Sequence, residues 1–365
     1  MTALLVLAPL AAAAPAHAQT ACGATVTASL TLAADLTDCP GDGLVVGADN
    51  VTIDLGSRTI DGTGATGSVG VRMAGRRGVR IVGGTIREFA TGISLTRSDR
   101  NRLTRVRVHA VEGRAIDVLD SSDRNVFERV ISTGNRTGIA LTASARNVIR
   151  RGTFSRNAVT GVLLLGAAAN RVEANRVAGN VGNGIAVVEG SNGNVVTGNR
   201  VQGAQTGLIV DGSDRNRLER NVVRGSGDGV LVSGSRNTVA GNEVDGADGE
   251  CETCSGWGIG VTGGRDNAIR ANTVRESASH GIRAARRGAR VAANVAILNG
   301  GLGILALPGN RDGGGNRAAG NRTEAQCAGV VCAATPLPVA MCSAARARTP
   351  RPAARMTCAA LRGRT

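Results

Sequence analysis

The sequence predicts an all-β solenoid, and three observations carry that prediction. The first is a recurring phrase, a glycine followed by alternating apolar residues. It begins at Gly70, Gly92, Gly138, Gly161, Gly184, Gly207, Gly229, Gly258, Gly281 and Gly303, with Ala115 filling one slot. The steps are 22 or 23 residues, apart from one of 29 between Gly229 and Gly258. A period in the twenties marks units that bury their apolar faces only by stacking on one another. The second observation is the period itself within each unit: short runs alternate with period 2 and favour Val and Ile, as strands do. The third is asparagine, which recurs in two files. One runs Asn101, Asn125, Asn147, Asn170, Asn194, Asn216, Asn237, Asn267; the other Asn175, Asn199, Asn221, Asn242, Asn272, Asn294. Asparagine tolerates the left-handed backbone of sharp bends, and stacked amides form ladders. Together these predict a single right-handed parallel β-helix of about eleven or twelve coils, with three short strands per coil.

Taken in order, residues 1–18 are apolar and alanine-rich and end Ala16-His17-Ala18, which reads as a secretory signal peptide, although a positive n-region is missing. Residues 19–42 are expected to cap the first coil, because an open sheet edge invites aggregation. The helix proper is expected over 43–321, its first coil at Gly43–Ile60 and a Gly-rich loop at Asp61–Ser68. Residues 322–365 form a tail whose last part, from Ala333, holds six Arg and no acid. It reads either as a disulfide-tied cap or as a basic arm. Eight cysteines suit an oxidising compartment. Position favours Cys22–Cys39, Cys251–Cys254, Cys327–Cys332 and Cys342–Cys358. The Cys251/Cys254 pair also reads as half a zinc site, but no second pair accompanies it.

The Gly-Ile-x-Leu…Asn-x-Val-x-x-Asn-x-Val phrase resembles the parallel β-helix repeat of the pectin-lyase-like superfamily. Its flavour is that of the carbohydrate-binding and sugar-hydrolase repeats, also found in the periplasmic copper-accessory protein of nitrous oxide reductase. That superfamily implies lyases, hydrolases, epimerases, adhesins or inert scaffolds, so it bears on fold more than on function. Known catalytic signatures of the fold are missing: no adjacent Asp pair, no Asp-Pro-His-Glu, and no lysine at all. Ser279-His280-Gly281 only brushes the Gly-His-Gly motif of polygalacturonase-like proteins. Metal delivery as in the copper-accessory relative would need more His and Met than the chain holds.

Composition narrows the partners. Net charge is +15, and all 43 basic residues are arginine. A basic balance favours anionic partners, here an acidic polysaccharide or envelope glycan. Nucleic acid is disfavoured for an exported chain with one Trp, three Phe and no Tyr to stack on bases. No segment after the signal peptide is long and apolar enough to span a membrane.

Two surfaces stand out. The residue two after each coil glycine points outward, and its central members are apolar: Ala140, Leu163, Ala186, Ile209 and Leu231. A continuous stripe of this kind suggests self-association or docking of the tail. The second surface lies beside the 29-residue step. Asp228, Trp257 and His280 immediately precede successive coil glycines, and the insert adds Asp245, Asp248, Glu250 and Glu252. Oxygen ligands in such a cluster could hold Ca²⁺. With Asp228, His280 and Arg283 as catalytic groups, the flank would suit a polysaccharide lyase or glycoside hydrolase acting on a polyuronate. Trp257 would serve binding. So would Arg100, Arg124 and Arg215 in the Ser-Asp-Arg-Asn turns, where a local ion pair with Asp is the plainer expectation. The sequence therefore favours an exported protein that binds or scaffolds at the envelope, with the cleaving enzyme as the alternative.

Overall fold

The computed structural model describes residues 20–336, which form strands, turns and no helix. Among these residues there is accordingly no helix long and apolar enough to cross a membrane. The signal-peptide expectation and the Cys342–Cys358 pairing lie outside the described residues, as does most of the tail.

The chain winds into a right-handed parallel β-solenoid of about 13 turns. The glycine-led strands build one sheet of fourteen, from Ala24–Val26 to Cys327–Ala328. Register is kept from coil to coil, for example Ile185↔Leu208↔Val230↔Ile259. The remaining strands start with the short Leu30–Thr31 and Leu36–Cys39, which both pair with one long strand, Thr52–Gly62; Arg80–Arg87 is long as well. Each later coil breaks this length at a corner into two short strands, such as Arg102–Thr104 and Arg107–His109. We call the two resulting stacks the second and third ribbons. The second and third turns thus have two strands where three were expected. The turn count exceeds the expected eleven or twelve because both end segments pair into the sheet. Ala24–Val26 pairs with Leu44–Val46, and Cys327–Ala328 with Ile304–Leu305. Disulfides Cys22–Cys39 and Cys327–Cys332 staple these terminal turns, and Cys251–Cys254 closes a loop in the insert.

The glycines are explained by closeness, not by φ. A Cβ on Gly207 would lie 2.7 Å from the carbonyl oxygen of Gly229 and 2.3 Å from Val223 Cγ1. Inside, Val, Ile and Leu stack in files, with Phe89, Phe127 and Phe154 fully buried among them.

The asparagines are inside as well. Each accepts, through Oδ1, the backbone N–H of its equivalent one coil earlier: Asn194 N–H to Asn216 at 2.8 Å, Asn216 N–H to Asn237 at 2.7 Å, Asn237 N–H to Asn267 at 2.8 Å. The last bond spans the insert, so the ladder holds its register where the sequence spacing jumps. A third file, Asn135, Asn157 and Asn180, resuming at Asn299 and Asn321, was not anticipated. The expected left-handed asparagines are the correction here. It is the residue before the asparagine that carries positive φ, near 56° at Arg100, Arg124, Ala169, Arg215 and Arg236. An inward side chain needs the chain to bend just ahead of it, so the strained position falls on its neighbour.

The apolar stripe also differs from expectation. Ala140 and Ala186 are buried and Leu163, Ile209 and Leu231 are half-buried, because side chains one coil apart, about 4.8 Å, cover one another. The large apolar residues that are exposed among the described ones, Val159, Val181 and Val331, lie elsewhere.

Asn221 tests the ladder. It is fully buried, accepts the Asn199 N–H at 3.0 Å and donates to the carbonyl of Val196 at 2.9 Å. Asn221→Ala leaves both groups unpaired and should lower the unfolding free energy by about 2–5 kcal/mol. A loss in chemical denaturation no larger than that of an exposed substitution would refute the ladder's role.

Candidate functional site

The outward face of the third ribbon holds a groove of about 430 Å³, lined by Arg176, Ala178, Arg200, Gln202, Val222, Arg224 and Glu243 among others. Register builds it. Arg176, Arg200, Val222 and Glu243 form one outward file, and Ala178, Gln202, Arg224 and Asp245 the next. Between the files Val177, Val201, Val223 and Val244 point into the core. Arg176 and Arg200 are exposed, one coil apart, and join none of the ion pairs found among the described residues.

Their neighbours are quenched. Arg171 pairs with Glu173 at 2.8 Å, Arg217 with Glu219 at 2.9 Å, and Arg102, Arg150 and Arg151 all converge on the buried Glu128. Glu128 is held below its ordinary carboxylate range chiefly by the Arg150 hydrogen bond. The groove ends in a four-membered network. Arg224 reaches Glu243 at 3.2 Å and Asp245 at 3.9 Å, while Arg275 reaches the same two at 2.5 and 3.2 Å.

These groove arginines escaped the sequence reading, although a signal exists. Where Arg171 and Arg217 have Glu two residues later, on the same strand face, Arg176 is followed by Ala178 and Arg200 by Gln202.

The Trp257 flank is built differently from the groove. Asp228 is 2 % exposed, and its carboxylate accepts the backbone N–H groups of Ser255 at 3.1 Å and Trp257 at 3.0 Å. It anchors the insert. Gln205 Nε2 adds a bond to Thr253 Oγ1 at 3.1 Å, and Cys254 packs on Gly227. The insert's acids disperse. Asp245 belongs to the Arg network, and Asp248, Glu250 and Glu252 are exposed, with Asp248 accepting the Glu250 N–H. Among the described residues no three His, Cys, Asp or Glu side chains are grouped to hold a metal. Trp257 and Arg283 do meet. The indole lies over Gly260, and the guanidinium sits 4.5 Å from the ring centroid, within cation–π range. His280 Nδ1 accepts the Leu302 N–H at 3.0 Å, which leaves Nε2 as its outward nitrogen.

Arg100, Arg124 and Arg215 are exposed at one corner, joined by Arg146 and Arg236. The expected ion pairs with the preceding aspartates do not form. Those carboxylates cap backbone instead: Asp99 accepts from Asp123, Asp123 from Ala145 and Asp214 from Ser235, at 2.7–2.8 Å.

Burial, then the Arg283 charge, holds the His280 imidazole below its ordinary range. The unfolded chain therefore protonates first. This contribution to stability is present above about pH 6.5 and is lost as pH falls through the folded-state value. Protonated Nδ1 could no longer accept from Leu302. Between pH 7.5 and 5.5 the thermal midpoint should fall, and fall less in His280→Gln. His109, lowered by burial and then by Arg87 and Arg107, accounts for the remaining slope. Equal slopes would remove His280 from this role.

Comparison with known proteins agrees with this architecture. A family model described as a right-handed beta helix region matches residues 69–223, and one described as periplasmic copper-binding protein (NosD) matches residues 183–322. Against curated proteins the sequence finds no match. Among solved structures, the mannuronan C-5 epimerase AlgE6 A-module of Azotobacter vinelandii is 14% identical, with TM-score 0.57 over 87% of this chain and 90% of that one. A double mutant of the periplasmic alginate epimerase AlgG is 11% identical, with TM-score 0.60 over 82% and 77%. DFA-IIIase from Arthrobacter chlorophenolicus A6, in complex with GF2, is 14% identical, with TM-score 0.52 over 66% and 70%. At such identities the likeness is one of fold. Two family matches that together run from residue 69 to 322, and a stack of parallel strands in continuous register, agree that this chain has the right-handed parallel β-helix fold.

Proposed function

We propose that this protein is an exported β-solenoid that binds an acidic polysaccharide along its third ribbon, at the cell envelope. The observation that carries the reading is the pair of exposed, unpaired arginines in a groove, Arg176 and Arg200, with Gln202 beside them. A guanidinium forks onto a carboxylate with two parallel hydrogen bonds, and Gln202 can serve sugar hydroxyls. Successive arginines lie one coil apart, about 4.8 Å, close to the advance of one sugar along an extended chain. Two structural neighbours, a mannuronan C-5 epimerase and an alginate epimerase, support a glycan of this class. Three disulfides among the described residues accord with an oxidising compartment.

Cleavage at the Trp257 flank is less well supported. A catalytic carboxylate must reach substrate, and Asp228 is buried with both oxygens engaged by the insert's backbone. Arg283 is likewise committed to the indole.

Calorimetric titration with an oligogalacturonate hexamer and with neutral dextran fragments tests the reading. The hexamer should bind and the dextran should not, with affinity falling as salt rises. Arg176→Ala/Arg200→Ala should weaken binding roughly tenfold or more with the fold intact. Unchanged affinity in that variant would overturn the assignment of the groove.

A further inference from the structure

The groove does not continue evenly along the ribbon, and the way it stops is informative. Arg224 sits one coil beyond Arg200 on the same face and lines the same cavity. It lies in the neighbouring file, opposite Gln202, and would be the groove's third cation, yet it is not free. Its Nη2 is 3.2 Å from Glu243 Oε1, and its Nε 3.9 Å from Asp245 Oδ2. Both carboxylates belong to Glu243–Ala247, on the same outward face, and Arg275 ties them from the far side at 2.5 and 3.2 Å. Four side chains from three adjacent strands therefore close into one neutral network across the groove's end. The side chains of Glu243 and Asp245 are 35% and 27% exposed, so their charge still faces an approaching anion.

We propose that Glu243, with Asp245, is a specificity-determining charge stop: by holding Arg224 and presenting negative charge, it limits the groove to two anionic groups, one at Arg176 and one at Arg200. The inference rests on the acidic-polysaccharide reading above and adds to it the number of charges read. A chain laid along the ribbon meets two free guanidinium groups and then a repulsive carboxylate. Longer ligands gain nothing from residues past Arg200 in that direction. The stop also works by rejection, since like charge juxtaposed at a binding surface disfavours the wrong register.

Removing the stop should improve binding, which a merely structural ion pair would not do. In Glu243→Gln, Asp245 keeps Arg275 and Arg224 is released into the groove. Titration with oligogalacturonates from dimer to hexamer reads the outcome. Wild-type affinity should already be level from the dimer onward. Glu243→Gln should bind the hexamer about two- to fivefold more tightly, the gain shrinking at high salt. Arg224→Ala alone should leave affinity near wild type, and Arg224→Ala/Glu243→Gln should cancel the gain. The proposal is overturned if wild-type affinity keeps rising to the hexamer, if Glu243→Gln binds no tighter, or if Arg224→Ala weakens binding as much as Arg200→Ala. The length series needs only the wild-type protein, so it decides the matter even if a variant fails to fold. A wild type that binds no oligomer sinks the groove reading itself. Binding that depends on Arg176 and Arg200 but rises with every added residue sinks the stop alone.

Discussion

Everything in this molecule depends on what happens to backbone polar groups at the corners. Parallel strands satisfy each other along a sheet, but a coil must turn between sheets, and there its N–H groups face inward. Buried without a partner, each would cost on the order of 1–3 kcal/mol. The asparagine files answer this in both directions, with Oδ1 taking the N–H of one coil and Nδ2 returning a bond to a carbonyl of the coil before, as Asn194 does to Ala167 at 2.9 Å. Serine runs a parallel file through Ser98, Ser122 and Ser144. A wall that is satisfied within itself leaves the outward side chains free of structural duty.

That division explains where function can sit. Inward positions accept only shapes that stack, and the glycines only hydrogen. Outward positions carry almost all the charge, and part of that is balanced locally: Arg-Val-Glu and Arg-Leu-Glu put a cation and an anion on one strand face. The insert follows the same economy. Its six or seven extra residues leave the ladder register undisturbed, and Asp228 is committed to holding it, which also sets Trp257 against Arg283.

The fold was legible because its determinants are periodic. Glycine spacing, β-branched alternation and asparagine files each report the same stacking, and they agree. The errors came where one residue's role depends on its neighbour's geometry. Asparagine's tolerance of the left-handed region suggested that it makes the bend, whereas its inward amide forces the bend onto Arg100 or Arg124. Counting coils from glycines missed Ala24–Val26 and Cys327–Ala328, which pair without the phrase. The candidate flank was found by rarity, from the one Trp, a scarce His and an acidic insert. Sequence proximity could not show that Asp228 turns inward onto Ser255 and Trp257, or that Asp245 is drawn off to Arg275.

The groove was hidden by the opposite error, attention to what is present. Arginine is so common here that no single one attracts notice; what marks Arg176 and Arg200 is the missing acid two residues on. On the coils around the groove Arg171, Arg217 and Arg224 each hold an acid, whereas Arg176 and Arg200, on adjacent coils, hold none. Leaving them unpaired offers no gain to the fold, since exposed pairs contribute at most about 1 kcal/mol and the strands close without them. A ligand that supplies the absent carboxylates gains what the fold forgoes. Glu243 then acquires a meaning beyond stability, for it is where the local pairing rule resumes, and where the ligand's own anions are no longer needed.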